Sequence, residues 1–259
     1  MLHWFKFHSK VMAPVPATDM YRKRQPGRGH PEECPPLRAA CAYGFDVLTS
    51  FPMTFLRDDE SGGWRLETPV NVQADWAWAP PDSEPAVPQT QINAWFWEKG
   101  QQVPHVISDD VFDLLRNQVK LCTWLFLKTD PDELLWIGDI PNRFRPWRAY
   151  TAIVDADLYS ASYPWHCVLE FDRREERIHI PEGEPICRLM TVPRGNFVAA
   201  EMSGEEFSEY FATGQEWLAK NSKPSGTMSD SPSTDELSDI TGRYARVARR
   251  SSFSVRPAE

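Results

Sequence analysis

Residues 150–193, YTAIVDADLYSASYPWHCVLEFDRREERIHIPEGEPICRLMTVP, constrain the fold more than any other stretch of the chain. Four short β-branched or apolar runs, residues 151–154, 166–171, 177–180 and 186–192, alternate there with turn signals. Asp155, Ala156 and Asp157 interrupt the first run with two carboxylates one residue apart. Pro181-Glu182-Gly183-Glu184-Pro185 separates the last two. In such a turn glycine can supply a positive φ, and each proline fixes φ at about −65°. Short runs punctuated by turn residues every eight to twelve positions or so are the pattern of an all-β barrel or sandwich. The chain is therefore predicted to be mainly β.

The remaining sequence adds strands and two short helices. Residues 51–56 and 64–70 read as a hairpin around Asp58-Asp59-Glu60-Ser61-Gly62-Gly63, and Gly44 marks a bulge or a close approach. Residues 74–78, 92–97, 121–128 and 134–137 read as further strands, and residues 138–147 as an irregular loop. Ser108 is placed to cap a helix whose apolar face carries Val111, Leu114, Leu115 and Val119. Ser203 and Glu206 form a capping box before Phe207, Tyr210, Phe211 and Leu218. This organisation predicts an extended N-terminal arm over residues 1–33, interrupted by Pro14, Pro16, Pro26 and Pro31. A single β-rich domain is expected over residues 34–220, with a disordered basic tail over residues 221–259.

Composition narrows the class. A hydrophobic share of 41% with 11 Trp and 14 Phe is ample for a core within 259 residues. A formal charge of −9 argues against a nucleic-acid-binding body, because phosphate neutralisation needs a basic surface. The 5 cysteines include no C-x-x-C pair, which reads as free thiols in a reducing compartment and argues against a zinc site built from them. No window approaches the ~18 apolar residues of a membrane span, and residues 1–12 lack the apolar core of a secretory signal. The expected setting is the cytoplasm, with no membrane and no nucleic-acid partner.

Two constellations could carry chemistry. If residues 151–157 form one strand, Asp155 and Asp157 point to one face. There they could act as a general base or chelate a divalent cation, with Mg²⁺ the natural candidate. Asn142, Arg143, Arg145 and Arg148 lie on one loop and could hold an anionic group. As an alternative, His105, His166 and His179 could join Asp155 or Glu170 in a non-haem iron site on a cupin-like barrel. No Gly-rich phosphate loop, nucleophile elbow or Cys-His dyad is present.

The order of apolar run, Asp155-x-Asp157, two further strands, a Pro-x-Gly turn and Ile186-x-x-Leu189 resembles the central region of dUTPases and dCTP deaminases, the β-clip fold. The chain also resembles a bacterial family of domains of unknown function. Its matching motifs are Tyr43-Gly44-Phe45-Asp46, Trp136-Ile137-Gly138-Asp139-Ile140-Pro141-Asn142 and Glu182-Gly183-Glu184-Pro185-Ile186-Cys187. The β-clip resemblance implies a dUTPase-like barrel in which Asp155 orients the attacking water and Asp157 shares its site. It implies ligand contacts from Trp136, Asn142, Arg143 and Arg145. Tyr159 stands one residue beyond the position of a base-stacking tyrosine, which Leu158 occupies. The phosphate loop lacks the serine that such enzymes carry. The resemblance further implies a homo-oligomer, a trimer with sites between subunits. The expected function is a small-molecule-binding β-clip protein that has lost or exchanged nucleotide hydrolysis. The alternatives are an iron-dependent cupin-like oxygenase and a non-catalytic accessory protein.

Overall fold

The computed structural model describes residues 1–18, 35–58, 62–75, 90–92, 94–96, 102–103, 105–106, 116–158 and 164–221. Antiparallel strands dominate them, with two helices, α1 (Pro35–Ala42) and α2 (Gly204–Asn221). The four diagnostic runs are all strands: Ala152–Val154, His166–Phe171, Arg177–Ile180 and Pro185–Pro193. They do not pair with one another in sequence order. Each of the three sheets that follow takes at least one of them.

The largest sheet runs Ala152–Val154, Glu133–Gly138, Pro185–Pro193, Phe45–Leu48, Val15–Pro16. A second runs Trp147–Ala149, His166–Phe171, Gln118–Cys122, Ala94–Phe96, and a third Arg177–Ile180, Met53–Arg57, Trp64–Leu66. Among the described residues no sheet closes on itself, so the expected barrel is corrected to a set of open sheets. The edges of the largest sheet show why. One is a three-residue strand that ends at the Asp155 turn, and the other ends at Pro16, which has no N–H to donate.

Local chemistry accounts for the elements. In His166–Phe171 every second residue is buried, so Cys167, Leu169 and Phe171 face the core. Phe171 meets Phe55 and Trp64 edge-on, at centroid distances of 4.9 and 5.0 Å. The predicted hairpin forms, with Asp58 donating its N–H to the Gly63 carbonyl at 3.0 Å and Gly62 at φ 66°. Gly183 takes φ 77° in the proline-flanked turn. Residues 121–128 are not one strand: Gln118–Cys122 and Leu125–Thr129 are separated by Trp124 at φ 52°.

Within the segment expected to be an arm, Leu2–Lys6 pairs with Leu125–Thr129 and Phe7 is fully buried. The first proline comes only at Pro14, so every N–H of that strand can donate. Residues 19–34 of the arm and the tail from residue 222 onward lie outside the described residues. So do residues 107–115 of the helix expected from Ser108. Val119, expected on that helix's apolar face, is instead a core residue of strand Gln118–Cys122, opposite Leu169. Val119 and Leu121 are both fully buried, a strand alternation that a helical reading of the preceding apolar residues obscured.

Residues 1–18 and the described residues from 41 to 194 belong to one compact unit, and residues 35–40 and 195–221 to a second. In the second, α2 carries the predicted capping box. Ser203 donates its N–H to Glu206 Oε2 at 2.7 Å, and the Glu206 N–H donates to Ser203 Oγ at 3.2 Å.

Candidate functional site

The strand before the paired aspartates stops at Val154. Leu158 then donates its N–H to the Asp155 carbonyl at 3.0 Å, which places Asp155 and Asp157 in a turn. The two carboxylates still converge, because one guanidinium gathers them. Arg194 donates from Nη1 to Asp155 Oδ1, and from Nη2 to Asp157 Oδ1 at 2.6 Å. Its own position is fixed by the chain: its N–H donates to the Asp132 carbonyl at 2.7 Å and its Nε to the Pro131 carbonyl at 3.1 Å. A bidentate clamp of this kind satisfies acceptor sites that a water or a cation would otherwise take. The sequence reading missed Arg194. Its pairing depends on strand order, because Glu133–Gly138 lies between the strand that leads to Asp155 and the strand that ends before Arg194.

The loop after Gly138 brings Arg143 and Arg145 together around Glu184. Arg143 Nη2 lies 2.7 Å from Glu184 Oε1, and Arg145 Nη1 lies 3.9 Å from the same oxygen. Arg145 also donates to Asp139 and to the Pro185 carbonyl, and its guanidinium lies 5.1 Å from the Trp147 ring centroid. Burial lowers the Arg145 pKa, against the pull of Asp139 and Glu184. Asn142, at φ 57°, donates from Nδ2 to Cys41 Sγ at 3.5 Å. Beside this cluster Arg188 and Asp46 form an ion pair with side chains 0% and 1% exposed. Asp139, Glu184 and Asp46 match Arg143, Arg145 and Arg188 in number, so the cluster has no surplus positive charge. Arg148 stands apart, on a surface ion pair with Glu170.

Trp136 occupies a different environment. Its direct cross-strand neighbours are Ile153 and Met190, and residues opposite each other in register share a face of the sheet. Gly138, two residues on, points to that same face. The indole lies across it: a Cβ at Gly138 would sit 2.3 Å from Trp136 Cη2. Trp136 and Met190 are half-buried, and Ile153 is 62% exposed. An aromatic surface held flat by a glycine beneath it and flanked by two aliphatic side chains is suited to stacking a planar group. Tyr159 lies outside the described residues.

The iron alternative finds no constellation. His166 and His179 lie in different sheets, and the Glu170 carboxylate is held by Arg148. His179 Nδ1 is 2.9 Å from Thr54 Oγ1. Burial lowers the His166 pKa to about 3, which keeps its ring neutral at neutral pH. Among the described residues no three His, Cys, Asp or Glu are placed to hold a metal ion. The Asp155 and Asp157 carboxylates do not fit Mg²⁺ better, since the groups facing them belong to a guanidinium. Cys122 and Cys187 are not poised as nucleophiles either. Burial pushes the Cys122 thiol up to about 12, and contact with Cys167 together with burial pushes Cys187 up.

No protein-family profile matches the chain, and no curated protein matches it. Similar solved structures are dUTPases. A mutant dUTPase from phage phi11 of S. aureus, described with a structural Mg(II) ion, shares 8% identity at a TM-score of 0.35. That match covers 78% of this chain and 97% of that one. The native EIAV dUTPase shares 8% identity at a TM-score of 0.30, over 79% of this chain and 98% of that one. At this identity and TM-score the likeness carries nothing about this chain's chemistry. Among the described residues no helix is long and apolar enough to cross a membrane.

Proposed function

We propose that this protein binds a small molecule bearing a flat, nucleobase-type ring on the Trp136 face and does not hydrolyse it. The observation that carries the reading is the indole laid on Gly138 between Ile153 and Met190. The clamp of Arg194 on Asp155 and Asp157 supports the absence of hydrolysis, since each carboxylate already gives one oxygen to the guanidinium. Incubation with deoxynucleoside triphosphates and Mg²⁺ is expected to release no pyrophosphate above background. Asp155→Asn should change stability by less than about 1 kcal/mol, because the carboxylate is 56% exposed and its ion pair is screened. Pyrophosphate release that Asp155→Asn abolishes would overturn the reading and make the protein a hydrolase.

Gly138→Ala gives a second test. The new Cβ meets the far end of a side chain rather than backbone, so the indole swings off the face while the sheet persists. The expected cost to folding is about 1 kcal/mol. The expected effect on ligand-induced thermal stabilisation, measured by differential scanning fluorimetry, is its loss.

A further inference from the structure

Helix α2 is exposed from residue 204 to residue 216. Most helical stability in a protein comes from packing one apolar face, not from helix propensity. α2 has such a face. Phe207, Tyr210, Phe211 and Gly214 recur at helical spacing, and Leu218 continues it in the sequence. The rings of Phe207 and Phe211 stack on one another at a centroid distance of 5.9 Å. Phe207, Tyr210 and Phe211 are nevertheless 53%, 67% and 53% exposed, and no atom lies within 4 Å of a Cβ added at Gly214. A contiguous run of exposed aromatic side chains marks a surface that another segment covers.

The sequence beyond α2 carries the matching pattern. Leu237, Ile240, Tyr244 and Val247 recur at steps of three, four and three residues, the spacing of one helical face. Ser233 and Glu236 ahead of them have capping-box spacing, as Ser203 and Glu206 have ahead of α2. Charge sets the direction. α2 opens with Glu205, Glu206 and Glu209, whereas residues 233–251 open with Asp235, Glu236 and Asp239 and close with Arg243, Arg246, Arg249 and Arg250. Laid antiparallel, the arginines lie beside the acidic first turns of α2; laid parallel, acids would lie beside acids. A second copy of α2 would bring four glutamates against four, which disfavours that occupant. Residues 222–232, with Pro224, Gly226 and Pro232, make the connection. Their extended reach of on the order of 35 Å exceeds the ~10 Å between the axes of packed helices.

We propose that residues 233–251 form a helix that docks antiparallel on the apolar stripe of α2, closing a helical hairpin within this chain. In the register that sets Phe211 against Val247, Gly214 comes level with Tyr244 and Leu218 with Ile240. Gly214 leaves room for the tyrosine ring, the large-against-small fit that facing helices need. No residue of the Trp136 face takes part, so the hairpin stands independently of the function proposed above.

Hydrogen–deuterium exchange of the full chain, read by peptide mass spectrometry, tests it. Amides of α2 and of residues 237–251 are expected to exchange about tenfold or more slowly than those of residues 222–232. The double variant Tyr244→Ser/Val247→Ser, which leaves α2 itself untouched, should speed exchange over α2 about tenfold or more. Exchange over strand Pro185–Pro193 should not change, which shows that the variant folds. Arg249→Gln, on the outward side of the docked segment, should leave α2 protected. Fast exchange over α2 or over residues 237–251 in the unaltered chain would overturn the proposal. So would α2 protection that survives Tyr244→Ser/Val247→Ser, which would assign the stripe to another part of the chain. Protection that falls on dilution would overturn it in favour of a second copy.

Discussion

Replacing Arg188 with methionine is expected to cost about 3–5 kcal/mol of folding stability, the range for breaking a buried ion pair from one side. The side chains of Arg188 and Asp46 are 0% and 1% exposed, so the variant leaves a carboxylate with neither water nor its counter-charge. Arg188 does more than neutralise. Its Nη1 donates to the Tyr43 carbonyl at 2.7 Å and its Nη2 to the Cys41 carbonyl at 2.9 Å, tying the approach to strand Phe45–Leu48 onto Pro185–Pro193. The pH dependence follows from Asp46. Burial raises its pKa above 3.8, against the pull of Arg188, Arg143 and Arg145. A carboxyl whose folded pKa is raised binds its proton more tightly in the folded state. Its contribution to stability is complete below the unfolded value and is lost as pH rises through the folded one. Without Arg188 the folded value rises further. The deficit of Arg188→Met, measured by urea unfolding, should therefore shrink as the pH falls from 7 toward 5. The double variant Asp46→Asn/Arg188→Met should be less destabilised than Arg188→Met alone. A deficit that is the same at both pH values would show that packing, not the stranded charge, dominates.

Gly44→Ala is expected to cost about 3 kcal/mol or more, because two penalties add. Gly44 has φ 94°, a conformation that side chains rarely adopt. A Cβ there would also stand 2.5 Å from the Leu189 carbonyl oxygen and 2.7 Å from Met190 Cγ. The carbonyl belongs to the central strand of the largest sheet and cannot give way without shifting its pairing with Phe45. Gly183→Ala is the internal comparison. Its φ is 77° with no atom within 4 Å of the added Cβ, so only the backbone term remains, about 1–2 kcal/mol. Thermal or urea unfolding of the two variants should show the larger loss at Gly44. Equal losses would mean that the close approach to Leu189 contributes nothing.

The sequence was most informative where a residue's own neighbours decide its conformation. The alternation in His166–Phe171, the hairpin turn at Asp58–Gly63, the capping box at Ser203 and the close approach at Gly44 are all local, and all are present. What was not legible depends on which strand lies beside which. Four successive runs read as strands of one barrel or sandwich, and the sheets they enter are three. The partner of Asp155 and Asp157 is Arg194, brought in only by the strand order around Glu133–Gly138. Arg143 and Arg145 read as free cations for an anion, because nothing in sequence announces that Glu184 returns to meet them. Trp136 was picked out by motif alone. The structure adds its seat on Gly138 and its neighbours Ile153 and Met190, which give the residue a surface to present.

Isothermal titration calorimetry with deoxyuridine and thymidine, which carry a base and no phosphate, isolates the aromatic face from every charged group discussed above. Saturable heat is expected from the wild-type protein, and none from Trp136→Ala at an unchanged melting temperature. The absence of heat from either nucleoside, or equal heats from both proteins, would contradict the assignment of a flat-ring ligand to Trp136.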